Sequence, residues 1–276
     1  MTKSPVGAVN VAAFCKSAIN RRKLTIGTLG LSVLPWVGAE VTTASQAVNM
    51  SGRQRMLSAR TAKAYCQLGR GIEPAVSQKL LQDSVVQFDL ALPQLRVFAP
   101  TAEIKDTLNR LTDKWRDYKD LTVGAAPAKE RVKQVLDSAD ELVMLANLAT
   151  LQFEQDSGRT SAKLTNICGR QRLLAQQIAA YGFARNWALT AAQAQPLIAK
   201  RQQEYLQATA LLEGTKENTP AIKRQLVEAA NMWAFFDSAL TAAQGDRAKP
   251  LVNLSAASEL ILTAYDDLTR LYSALA

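Results

Sequence analysis

A chain of 276 residues with 13 glycines, 9 prolines, 6% aromatic residues and abundant Ala, Leu and Gln suits long helices and disfavours strands. It contains no histidine and three cysteines, Cys15, Cys66 and Cys168, which excludes the usual histidine-based catalytic dyads and most zinc sites. The net charge of +9 suggests nucleic acid until it is apportioned. Lys3, Lys16, Arg21, Arg22 and Lys23 all precede the first carboxylate, Glu40, and without them the charge is ordinary for a soluble domain, so no nucleic-acid partner is expected.

Residues 1–39 read as an export signal. A polar, positive stretch over 1–23 leads into an apolar run, Leu24 to Leu34, too short to span a bilayer comfortably, and Val37-Gly38-Ala39 offers the small residues a signal peptidase needs. Arg21-Arg22-Lys23-Leu24 resembles a twin-arginine leader without the usual Phe, with Sec export the alternative. The mature protein is therefore expected in the periplasm; an uncleaved segment anchored to the inner membrane is the other option.

Helical periodicity starts at Thr43 and runs to Arg70, with Met50, Leu57, Thr61, Ala64 and Leu68 on one face. A second helix is predicted over 74–98, broken or kinked near Pro93, a third from Pro100 through Tyr118, and a fourth from Ala128 through Phe153 after a loop at 124–127. The plan then repeats over 165–187, 191–213, 220–244 and 250–275. Asn49-Met50-Ser51-Gly52-Arg53-Gln54-Arg55-Met56-Leu57 returns as Asn166-Ile167-Cys168-Gly169-Arg170-Gln171-Arg172-Leu173-Leu174, an offset of 117 residues. Ile104 and Ile222, Trp115 and Trp233, and Glu141-Leu142 and Glu259-Leu260 recur at 118.

This pattern predicts an all-α protein of two tandem antiparallel four-helix bundles, residues 40–157 and 158–276. No proline falls between Leu148 and Asn186, so the two bundles are expected to share one long helix with Gly158 as its natural hinge. A straight helix would hold Arg55 and Arg172 far apart, each needing its equivalent from a second chain in a homodimer. A break at Gly158 would let the copies face each other within one chain.

A glycine and two crowded arginines inside a helix are costly, so something must compensate. Successive 100° steps place Val48, Ser51, Gly52, Arg55, Ala59, Ala62 and Cys66 on one face, with Thr165, Cys168, Gly169, Arg172, Gln176 and Ala179 as their match. Small residues let helix backbones approach closely, and an arginine at such a crossing needs a negative partner. No Asp or Glu occurs from Val41 to Gly71, so either a carboxylate from another helix (Asp83, Asp89, Glu141 or Glu259) or a small oxyanion must supply it. Asn49, Arg53, Arg60 and Lys63 share another face, which reads as a solvated stripe, with Arg53 and Arg170 facing water. Asn49 and Asn166 are placed either to cap a ligand or to cap the helix start. Trp115 and Trp233 read as core. Cys66 and Cys168 read as buried thiols, with a disulfide the alternative.

The Asn-x-x-Gly-Arg-Gln-Arg-Met-Leu-Ser sequence resembles the signature of PilJ-type domains, the N-terminal sensor modules of type IV pilus methyl-accepting chemotaxis transducers. It is also similar to the motif of NarX-like nitrate and nitrite sensor kinases, in which an arginine at a symmetric helix crossing binds the anion. The resemblance implies an anion-binding role for Arg55 and Arg172, with Asn49, Asn166, Gly52, Gly169, Ser51 and Cys168 around them. Copy two departs at Cys168, Leu173 and Ala175, where copy one has Ser51, Met56 and Ser58.

The expectation is a stand-alone periplasmic binding protein for nitrate, nitrite or a similar anion, without cofactor or metal. Lacking a transducer, kinase or phospho-accepting histidine, it would hand its message to a membrane receptor or sensor kinase. A structural or adaptor module, docking its small-residue face on a receptor or pilus complex, is the rival. No spacing of Ser, Lys and carboxylates assembles an activated nucleophile, so catalysis is not expected.

Overall fold

The computed structural model describes residues 41–245 and 247–275, and among them it contains eight α-helices, one 3-10 turn and no strand. The helices are α1 (Ala44–Gly69), α2 (Pro74–Phe98), α3 (Ala102–Val123), α4 (Val132–Ser157), α5 (Thr160–Ala184), α6 (Ala191–Glu213), α7 (Pro220–Ala242) and α8 (Ala248–Ser273). The all-α class is as expected. The export segment, cleaved or anchored, lies outside the described residues, and no helix among those described is long and apolar enough to cross a membrane.

Threonines start four of the helices. The Oγ1 atoms of Thr43, Thr101, Thr190 and Thr219 each accept the backbone N–H three residues on, opening α1, α3, α6 and α7. Such a cap contributes about 1 kcal/mol by satisfying a donor the helix itself leaves free. Gln46 and Gln193 complete capping boxes by accepting the backbone N–H of Thr43 and Thr190. Pro93 does not break α2, which runs through it.

The long shared helix is not formed. Helix α4 stops at Ser157 and α5 starts at Thr160, because Gly158 takes a left-handed conformation with φ of 60° and its N–H closes onto the carbonyls of Glu154 and Gln155. The turn lays α5 back beside α4 rather than beyond it. Asn166 then reaches Glu154, and Gln177 reaches Asp140 at the other end.

That reversal decides the architecture. In the first half α1 packs on α2 and α4, and α3 on α4; in the second α5 packs on α6 and α8, and α7 on α8. The halves meet along α1 and α5, which lie side by side through their whole length and draw the described residues into one unit. The two helices run parallel: Gly52 sits by Gly169 at one end, while at the other Gly69 lies against Trp187 and Arg70 donates to the carbonyls of Phe183 and Arg185. Between Ala47 and Gln67 every residue of α1 is buried except Asn49 and Arg53, which are partly so. The small residues of the motif face are needed for this: a helix enclosed on all sides must let backbones come close.

Equivalent contacts fix the register of the halves. Phe88 stacks on Trp115 at 3.8 Å between ring centroids, and Tyr205 on Trp233 at 3.7 Å. Gln54 donates to the Phe88 carbonyl and Gln171 to that of Tyr205. These keep the 117 and 118 offsets seen in the sequence. On α4 and α8 the offset is 119, since Ser51 meets Thr150 Oγ1 and the carbonyl of Ala146, whereas Cys168 meets Thr269 Oγ1 and the carbonyl of Tyr265. The alignment of Glu141 with Glu259 is therefore one residue out. Glu141 lies at the surface beside Lys114, while Glu259 is buried against Arg60 and Lys63. Its structural counterpart is Asp140, which accepts from Gln177 and Tyr181 of α5 and from Arg201 of α6.

Candidate functional site

The close approach of α1 and α5 at the glycine pair creates a place where two guanidinium groups share one space. A methyl added at Gly52 would stand 3.0 Å from Arg55 Nη2 and 3.9 Å from Arg172 Nη2; one added at Gly169 would stand 3.0 Å from Arg172 Nη2 and 3.6 Å from Arg55 Nη2. Each guanidinium thus lies over both glycines, and any side chain there would push it aside. Arg55 and Arg172 are each 1% exposed.

Their partners differ. Arg55 Nη1 donates to Asn147 Oδ1 at 2.7 Å, with Nη2 3.5 Å from the carbonyl of Asn166. Arg172 Nη1 donates to Asp266 Oδ1 at 2.5 Å and its Nη2 to Asn49 Oδ1 at 2.9 Å. Asp266 also receives Arg53 Nη2 at 2.8 Å. Among the described residues, neither Arg55 Nε nor Arg172 Nε has a hydrogen-bond partner, although both are buried. A buried donor left without a partner costs on the order of 1–3 kcal/mol, more for a charged group, so the site is under-supplied with acceptors.

Charge follows the same pattern. Burial, and then the charges of Arg170 and Arg172, push Arg55 down to about 9, against a smaller opposing pull from Glu154. Burial also works against the Asp266 carboxylate, but Arg53 and Arg172 hold it below the ordinary range, so it stays ionised. Two arginines, Arg53 and Arg172, thus share the Asp266 carboxylate, Arg55 binds no carboxylate directly, and a second one, Glu154, is held one step away through Asn166 Nδ2 at 2.5 Å.

The structure distributes the sequence-derived candidates unevenly. Arg55, Arg172, Gly52, Gly169 and the Asn49 side chain come together, and Asn166 contributes its carbonyl while its side chain turns to Glu154. Ser51 and Cys168 direct their side chains to α4 and α8 instead. Arg170 does lie at the surface, paired with Glu204, but Arg53 turns inward to Asp266. The stripe read as solvated is largely interior: Arg60 and Lys63 are buried because α8 of the second half covers that side of α1. None of the four carboxylates considered as partners reaches Arg55 or Arg172. Asp266 and Asn147 do, and they occupy equivalent positions at the 119 offset of α4 and α8, which the 118 offset of Glu141 and Glu259 does not bring together.

Cys66 and Cys168 are separate buried thiols, each pushed up to about 12, primarily by burial, and so unreactive at neutral pH. The small-residue face offered as a docking surface for a partner helix is already covered by α4 and α5, which removes that basis for an adaptor role.

Residues 36–149 match the PilJ family, described as type IV pili methyl-accepting chemotaxis transducer N-term. The match covers α1 to α3 and most of α4, and gives that part of the chain its likeness to a sensory module of chemotaxis transducers. No curated protein and no solved structure matches the chain.

Proposed function

We propose that this protein is an exported, periplasmic binding protein of the sensor class that holds a small oxyanion, nitrate or nitrite, between Arg55 and Arg172. In this reading α5–α8 are a second PilJ-type domain, and the two copies do within one chain what NarX-like sensors do across a symmetric crossing. The observation that carries it is the pair of buried guanidinium groups above Gly52 and Gly169, each with an Nε that has no partner among the described residues. A planar oxyanion supplies the acceptors and the charge that the site lacks, and guanidinium matches its geometry with paired donors. Both half-sites belong to one chain, so the anion needs no homodimer. The bound signal would pass to a membrane receptor or sensor kinase.

Isothermal calorimetry with nitrate on the mature protein tests this. Wild type is expected to bind, more weakly as salt rises, and the Arg55→Ala, Arg172→Ala double variant to show no heat. Equal binding by that variant would remove the site assignment.

A further inference from the structure

The two halves of the site are chemically unequal at one position. Asn147 on α4 and Asp266 on α8 are equivalent at the 119 offset, present the same Oδ1 atom to the same Nη1 atom of Arg55 and Arg172, and have nearly the same shape. They differ by one charge. The difference extends outward: Arg53 turns in to bind Asp266, whereas its equivalent Arg170, with only a neutral amide at the matching place, turns out to Glu204.

Resting on the anion-binding function proposed above, we infer that the Asp266 and Asn147 pair determines the charge of the oxyanion, restricting the site to singly charged species. Arg53, Arg55 and Arg172 bring three positive charges, and Asp266 and the Asn166-linked Glu154 bring two negative ones; Arg170 nearby is offset by its own partner, Glu204. One positive charge is left over beside the buried guanidinium groups of Arg55 and Arg172. A monoanion neutralises it, while sulfate would leave a negative charge stranded away from water, where an unpaired charge is strongly disfavoured. With Asn at both positions the site would carry one more positive charge and suit a dianion. With Asp at both, the internal carboxylates would satisfy the arginines and leave nothing for a ligand.

Calorimetric titration of nitrate and of sulfate, at fixed ionic strength, into wild type, Asp266→Asn and Asn147→Asp separates the outcomes. Wild type is expected to favour nitrate, Asp266→Asn to shift the sulfate-to-nitrate affinity ratio upward at least tenfold, and Asn147→Asp to lose nitrate at least tenfold, with helical circular dichroism retained. An unchanged ratio in Asp266→Asn while nitrate still binds overturns the inference and leaves the anion-binding function standing. Should Asp266→Asn not fold, undiminished nitrate affinity in Asn147→Asp overturns it alone. Absence of binding by wild type and both variants overturns the anion-binding function itself.

Discussion

Two buried charge clusters sit about two turns apart where α1 meets α8, and they are built from similar parts to opposite effect. At Arg60, Lys63 and Glu259 the carboxylate is fully used: Arg60 donates through Nε and through Nη2, the latter at 2.5 Å, and Lys63 binds the other oxygen and Ser258. Arg60 Nη1 is satisfied by Ser84. At Arg53, Arg55 and Arg172 one carboxylate oxygen serves two arginines, the third finds only amides, and two Nε atoms have no acceptor among the described residues. The first cluster is buried and has an acceptor for every donor nitrogen of Arg60 and Lys63, whereas the second is partly open at Asp266, 27% exposed, and lacks acceptors. The first fastens the two halves together, and the deficit of the second is the feature on which the proposed anion site rests.

The sharpest way to break the comparison is to remove the fastening. Glu259→Ala strands two buried cations and is expected to cost about 3–5 kcal/mol in denaturant unfolding, whereas losing only a surface pair costs about 0–1. A loss of the smaller size would show that the Arg60 cluster is no more essential than Arg170 with Glu204.

Acid should attack the same cluster. Burial by itself would raise the Glu259 carboxyl, but Arg60 and Lys63 overcome it and hold it down to about 2, from an ordinary 4.5. Between those values the unfolded chain binds the proton and the folded chain does not. The contribution is therefore fully present above pH 4.5 and disappears as pH falls toward 2, about 3 kcal/mol at about 1.4 per pH unit. Stability followed through that window should fall more steeply in wild type than in Glu259→Gln, which keeps only the contribution of other lowered carboxyls such as Asp266.

The smallest effect is expected at the unfinished cluster. Arg55→Met removes a cation that burial and its neighbours already disfavour, and leaves Arg172 with Asp266. Without added anion it should leave stability unchanged or raise it by about 1 kcal/mol. A large loss would mean that Arg55 is structural after all.

Why one cluster was legible in the sequence and the other was not is a matter of distance along the chain. The helices, their threonine starts and the small-residue face follow from local spacing, and so does the choice of Arg55 and Arg172 as the inward arginines. The burial of Arg60 and Lys63 is not legible locally, because a helical wheel assumes one side faces water and nothing nearby says that α8, nearly two hundred residues later, covers it. The break at Gly158 was visible only as a possibility, since glycine permits a left-handed turn without requiring one. Asp266 stayed hidden because single-residue insertions move the offset from 117 to 119 along the repeat, and on a helix one residue turns a side chain by 100°.

The central claim is that both half-sites belong to one chain and act as one site. Nitrate stoichiometry by calorimetry, on protein whose solution mass is followed with and without the anion, tests it most directly. The account predicts one nitrate per monomeric chain, with Arg55→Ala alone abolishing it as fully as Arg172→Ala. Two nitrates per chain, or one shared between two chains that associate when it binds, would contradict it.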